Sequence, residues 1–506
     1  MKRCSVLSVV FLAACLTGAA GTFSCGSSDD AKSEGDAGVT DATSADVARS
    51  DGGMGGDALP NADAGAAACG FCRYAGETFS AATPGSQRPV ALALGATIDV
   101  AYPDSLAVRG GASTWAVGPT VTGNASPFFL RLAEAPDGTP WLAIADVDGS
   151  LVVAHQGGGA DAAAWTKETA VARPVYGTSL AFGSDGLPVV AYAGSAPGGS
   201  QGGLTIVRRS GSTWTETLVA SSTMFFQSVA LAMNGTDPML VWNDRAAGAV
   251  LFAHATSPTS FATEIIDATS GTLSGPDALA IAVDAAGVAH VAYRKNGGGL
   301  SSAVTYAVRS GGTWTTSAVT ATGPFSELGA TGSVRIAIAR SGAIAIGSLG
   351  SSGLAVSTRS GGTWIPQEIV TRCSDSSDGF DMGFDSTSAL AVVHTCAYGK
   401  VNFLLAQAPY PAGYAALCHQ VATTACTAAG MCPLDAQGKP CVNQRGSGTC
   451  IDTPYCADYI ALHLCGDATQ DPMVIAACRD ALPAAVCVLP DAGKSGLELP
   501  TVCPRP

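Results

Sequence analysis

Basic side chains are scarce in this sequence. Lys and Arg number 26 against 40 Asp and Glu, a formal net charge of −14. No basic stripe interrupts that balance, which disfavours nucleic acid and anionic lipid as partners. Histidine is scarcer still, with six copies, and no zinc spacing links any of them. Past about residue 20 no apolar run reaches the ~20 residues that a membrane-spanning helix needs. No constellation of residues amounts to a catalytic site, and no metal or cofactor is expected. Glycine is plentiful, at 62 residues, and so is cysteine, at 17. Both are distributed with a pattern.

The chain opens Met1-Lys2-Arg3 and then runs apolar from Cys4 to about Ala20. That is the charged n-region and apolar h-region of a secretory signal peptide. The start resembles a bacterial lipoprotein signal, in which a cysteine behind a box of small residues is lipidated on cleavage. Two boxes compete. Leu12-Ala13-Ala14-Cys15 has the better composition; Thr22-Phe23-Ser24-Cys25 stands at the more usual distance. Removing Cys4 and Cys15 and lipidating Cys25 leaves 17 − 3 = 14 cysteines, an even number that can pair fully in an oxidising compartment. This favours Cys25, with Cys15 as the alternative. Gly26 in the next position, by resemblance to the sorting rule of Gram-negative lipoproteins, implies an outer-membrane protein facing the periplasm or the outside. Residues 1–24 form the leader. Residues 25–68 are small, polar and acidic, a composition that cannot bury enough apolar surface to fold and suits a solvated tether.

A repeat follows. Ser113-Thr114-Trp115, Ala163-Ala164-Trp165, Ser212-Thr213-Trp214, Thr259-Ser260-Phe261, Gly312-Thr313-Trp314 and Gly362-Thr363-Trp364 succeed one another at about fifty-residue spacing, in the range of propeller blades. Between them apolar runs are broken by turns such as Asp185-Gly186 and Asp137-Gly138, a strong hairpin signal. Four antiparallel strands per unit make a propeller blade. Six units end near residue 371, and a seventh runs from Gly383 to Leu405 without its own aromatic strand. Residues 76–83, which include Phe79, are expected to supply that strand and close the ring; six blades with loose ends is the alternative. The fold class is therefore all-β, a seven-bladed β-propeller over 69–408 closed by an N-terminal strand. A small, disulfide-rich, partly helical domain over 409–506 follows it.

The repeat resembles that of sialidase-related extracellular propellers. Gly311 and Thr313-Trp314 match the end of an Asp-box, but Arg309 and Arg359 stand where its Asp belongs. Such an enzyme would need an arginine cluster, a Tyr–Glu pair and an acid, and the loop arginines Arg245, Arg294 and Arg372 sit in different blades without a motif. Gly198-Gly199-Ser200-Gln201-Gly202 has the spacing of a nucleophile elbow, which requires a helix after it. His155 and His254 share one third-strand register, and His290 and His394 read as satisfied strand residues. Asp375, Asp378, Asp381 and Asp385 miss the EF-hand spacing. A calcium site there stays open, although turn chemistry accounts for Asp385.

Cys69, Cys72, Cys373, Cys396, Cys418, Cys426, Cys432, Cys441, Cys450, Cys456, Cys465, Cys478, Cys487 and Cys503 are the expected disulfide cysteines. The pairing of most of them cannot be read from sequence. Ligands are expected on the face built by the loops joining strands two and three and joining blade to blade. Tyr102, Asp104, Asp146, Trp242, Asp244, Arg245, Tyr293, Arg294 and Arg372 are the candidates there. The expectation is a non-catalytic recognition or scaffold lipoprotein that is held to the outer membrane by its lipid and binds a glycan or a cell-surface protein. A divergent sialidase-like glycoside hydrolase and a purely structural envelope protein are the alternatives. An arginine-and-carboxylate cluster in the central funnel would favour the hydrolase; an apolar plug would favour the envelope protein.

Overall fold

The computed structural model describes most of residues 72–409, helical positions near 417–424 and 476–480, and a strand pair at 486–498. The leader, the tether, Cys25, Cys15 and Cys69 lie outside the described residues. No described helix is long and apolar enough to cross a membrane. In the tail, Cys478 is buried and disulfide-bonded.

Seven four-stranded antiparallel sheets follow one another, at 91–117, 129–171, 175–222, 229–267, 279–318, 334–371 and 380–409. The strands of the first six are hydrogen-bonded in chain order. The seventh takes its outer strand from the start of the domain: Cys72–Ser80 pairs antiparallel with Lys400–Pro409. The ring therefore has seven blades, not six. The closing strand lies earlier than the expected 76–83, and Tyr74 rather than Phe79 holds the place of the missing aromatic.

The core explains that shift. Buried apolar residues fall into seven clusters, one between each pair of neighbouring blades. Six of them take in one outer-strand aromatic: Trp115, Trp165, Trp214, Phe261, Trp314 or Trp364. The cluster between blades 6 and 7 takes in Tyr74 instead. An aromatic here covers the outer end of each interface with a large apolar area.

Because both faces of a blade are cores, its second strand reads as a continuous apolar run. In Pro188–Ser195, Val189, Ala191 and Ala193 pack toward blade 4, while Val190 and Tyr192 pack toward blade 2. Alanine at these places lets the blades approach closely. The outer strand Thr213–Ser222 alternates between half-buried and exposed residues. Turns at the opposite end from the ligand face are built as expected. Gly138 and Gly186 have positive φ, and Asp137 and Asp185 accept the N–H of Thr139 and Leu187. Asp385 accepts the N–H groups of Thr387 and Ala389 and the Thr387 hydroxyl.

Candidate functional site

Each innermost strand begins at the face formed by the strand two-to-three and blade-to-blade connections. Arg131 is the third residue of Phe129–Glu134, Arg335 the second of Val334–Ile338, and Asp381 the second of Phe380–Phe384. Asp277 stands two residues ahead of Leu279–Val283. All four lie at the mouth of the central channel on that face. Three share one register position. Arg131, Arg335 and Asp381 stand opposite Ala143, Gly347 and Val393, each twelve residues further on (143 − 131 = 12). Ser179 and Ala280 hold the same position in blades 3 and 5, opposite Ala191 and Ala292.

The four charges form one chain across the axis. Arg131 donates to Asp277 Oδ1, and Asp277 Oδ2 lies 3.3 Å from Arg335 Nη2. Arg335 Nε donates to Asp381 Oδ1 at 3.1 Å, and Asp381 Oδ2 accepts the N–H of Leu92 in blade 1 at 3.0 Å. Each arginine also donates to the carbonyl of its own neighbour, Leu130 or Val334. Side-chain exposure is only 16% for Arg131, 21% for Asp277, 13% for Arg335 and 19% for Asp381. Gly347 helps to set this geometry. A Cβ there would stand 2.5 Å from Met382 Sδ, so its absence lets the strand carrying Asp381 come against blade 6.

Burial and charge compete at these groups. Burial pushes the Asp277 carboxyl up, but the Arg131 and Arg335 guanidinium groups prevail and hold it at about 2. Burial lowers Arg131. Asp277 opposes that effect, and the like charge of Arg335 adds to it. Arg335 ends above its ordinary value because Asp277 and Asp381 together outweigh burial.

The residues expected at the ligand face fall into three groups. Tyr102, Trp242, Tyr293 and Arg294 are not loop residues: they stand at the ends of second strands or just inside them, and at most 2% of each is exposed. Tyr293 and Trp242 hold equivalent places, opposite Leu279 and Val229 at the start of their innermost strands. The Tyr293 hydroxyl donates to Asp267 at 2.8 Å, and Lys295 reaches the same carboxylate at 2.9 Å. Asp146 and Asp244 are partly exposed at the face, and Asp244 Oδ1 caps a turn through the N–H groups of Ala246 and Ala247. Asp104, Arg245 and Arg372 lie outside the described residues, as do Asp375, Asp378, Cys373 and Cys396. Of the four clustered aspartates, Asp381 is bound to Arg335 in the channel and Asp385 closes a turn. Among the described residues no three metal-ligating side chains converge.

The remaining motifs resolve into framework. After residues 198–202 comes the strand Gly202–Ser210, not the helix that a nucleophile elbow needs. His290 is buried between the Tyr306 hydroxyl, 2.7 Å from Nδ1, and Asp284, 3.3 Å from Nε2. Burial lowers His394 to about 4 and so keeps it neutral. The arginine in the Asp-box place has its own partner. Arg309 makes a two-pronged contact with Glu264 of the preceding blade at 3.0 and 2.7 Å, and Trp314 Nε1 donates to the same carboxylate at 2.9 Å. Arg209 and Trp214 hold Glu168 in the same way, and Arg109 and Trp115 hold Glu77. The Arg309 hydrogen bond lowers the Glu264 carboxyl despite its partial burial.

Sequence reasoning missed Arg131, Asp277 and Arg335. An alignment of blades on their turns would have exposed Arg131 and Arg335, beside Asp381, as charges at a position that is Ser or Ala in blades 3 and 5.

No family model matches the sequence. No curated protein matches it either. Solved structures with a similar framework include virginiamycin B lyase from Staphylococcus aureus, at 10% identity over 66% of this chain and 100% of that one, with a TM-score of 0.44. A polysaccharide lyase of family PL25, an ulvan lyase, aligns at 11% identity over 66% of this chain and 97% of that one, with a TM-score of 0.47. The α-L-arabinanase of Penicillium chrysogenum aligns at 11% identity over 55% and 93%, with a TM-score of 0.39.

Proposed function

We propose that this chain is a non-catalytic recognition or scaffold lipoprotein of the bacterial outer membrane, and that it binds a glycan or a protein partner through the loop face of its propeller. The observation that carries this reading is the pairing inside the channel. Each arginine of the cluster already faces a carboxylate, and each carboxylate an arginine. A hydrolase needs an acid or base poised to exchange a proton with substrate near neutral pH, whereas Asp277 is held ionised down to about 2. A framework cross-braced in this way presents its loops rigidly, which lowers the ordering cost of binding. Asp146 and Asp244, with the loop candidates Asp104, Arg245 and Arg372, form the contact surface. Tyr102, Trp242, Tyr293 and Arg294 support it from below. The leader and the Cys25 box support the lipid anchor.

The hydrolase reading keeps one observation in its favour, the convergence of two arginines and two carboxylates at the mouth. A glycan array probed with the detergent-solubilised full-length chain separates the readings. Saturable capture of a glycan that mass spectrometry finds intact after incubation supports recognition. Cleavage of the captured glycan establishes the hydrolase. Capture of no glycan, together with no protein partner cross-linked on cells, overturns recognition in favour of the structural envelope protein.

A further inference from the structure

Arg131 and Arg335 come from blades 2 and 6, yet their guanidinium groups meet at one carboxylate. The two cations repel each other, and burial works against the charge of each. Two guanidinium groups brought together in a narrow, partly desolvated space form a receptor for an anion, because each offers parallel N–H donors that match carboxylate oxygens. The carboxylate between them belongs to the chain itself. It comes from Asp277, just ahead of the innermost strand of blade 5, so it reaches the pair from a third blade. Asp277 gives one oxygen to each arginine. Asp381 offers no substitute. Its Oδ1 takes Arg335 Nε and the N–H of Met382, and its Oδ2 takes the N–H of Leu92, so it does not bridge to Arg131.

We infer that Asp277 fills, from within the chain, an anion site formed by Arg131 and Arg335, and thereby sets the channel mouth to accept uncharged rather than acidic ligands. This rests on the recognition reading of the loop face and names the class of ligand it takes, a neutral saccharide. The acidic surroundings act in the same direction, since a ligand carboxylate approaches a chain of net charge −14 and finds both arginines engaged. Asp277 is thus a specificity-determining residue whose effect is to exclude.

The test needs no knowledge of the natural ligand. The full chain and its Asp277→Ala and Asp277→Asn variants are titrated calorimetrically with D-glucuronate, with methyl glucoside as the neutral control, in low-chloride buffer. Circular dichroism and melting verify that each variant is folded. The expected result is glucuronate binding by the variants at least about tenfold tighter than by the unaltered chain. Addition of Arg131→Ala to the Asp277→Asn background should abolish it. Glucuronate binding by the unaltered chain as strong as by the variants overturns the inference, since Asp277 then excludes nothing. Failure of a folded Asp277→Asn chain to bind also overturns it, since no latent anion site exists. Absence of any glycan capture on the array, together with no protein partner cross-linked on cells, sinks the recognition reading but not the arginine pair, because the glucuronate titration reports on that pair whether or not a natural glycan exists.

Discussion

The rim and the axis of this propeller both hold buried ion pairs, but they hold them differently. At the rim one arrangement recurs three times, between blades 7 and 1, 2 and 3, and 4 and 5. A glutamate of one blade is gripped by an arginine and a tryptophan of the next. At the axis the arrangement occurs once and joins residues of blades 2, 6 and 7 to Asp277 and to the backbone of blade 1. In a repeat protein, what recurs at a fixed register is framework, while a feature that breaks the repeat needs another reason. That contrast directs attention to the channel mouth rather than to the more conspicuous Trp motifs.

The largest expected effect lies at the axis. Asp277→Ala strands the Arg131 guanidinium and leaves Arg335 with Asp381 alone, and should lower unfolding stability by about 4 kcal/mol near neutral pH, measured by urea denaturation. The two arginines hold the folded Asp277 carboxyl at about 2, below the ordinary 3.8 of an aspartate. Its charge-dependent part, about 2 kcal/mol, is therefore nearly whole above about pH 4 and fades as the pH falls toward 2, so the gap between the unaltered and variant chains should narrow by about that amount. An undiminished gap at pH 2 would show that the loss arises from packing and not from charge.

An interface without a clamp should respond with the opposite sign. Between blades 1 and 2, Asp99 is 1% exposed. Burial raises its pKa to about 6; Thr97 opposes the rise with a hydrogen bond, and the nearby Glu134 charge adds to it. A folded pKa above the unfolded one means that stability falls as the pH rises from about 4 through 6. Asp99→Asn should relieve this and stabilise the chain by about 2–3 kcal/mol at pH 7. The gain should vanish near pH 4. Thermal melts across that range check both the sign and the window.

The smallest effects belong to the rim. Glu264→Gln, Glu168→Gln and Glu77→Gln each remove the charge from a partly buried contact and should cost about 1 kcal/mol apiece. Because the three sites are separate and alike, the triple variant should lose close to their sum. A marked excess for Glu77→Gln alone would show that the clamp on the closing strand does more than its two counterparts.

The architecture was legible because a blade is a local unit. Its turns, its outer Trp and its alternating strands all lie within about fifty residues. The closing strand was less so. It has no hairpin joining it to its partner, so Phe79, set behind Gly76 and Thr78 in an imitation of the Trp motif, looked the better aromatic. Only pairing across the ring, with Tyr74 opposite Ala406, identifies the true counterpart. The channel cluster was illegible for a related reason: Arg131 and Asp277 are 146 residues apart, and their meeting depends on ring closure alone. Tyr102, Trp242 and Tyr293 were read as loop aromatics because polar residues follow them. The strand alternation in fact continues through them and turns their rings into the core.

The closing strand also orders events during synthesis. Thr78 bonds to Asn402 across 324 residues of chain, so the first of the described strands is made long before its partner and is the last of the propeller strands to be paired. Until the ribosome has passed residue 409, Cys72–Ser80 stays unsatisfied and the seventh sheet stays open along its outer edge. The completed ring thus depends on a nascent chain that can hold one edge idle for nearly the whole of its elongation.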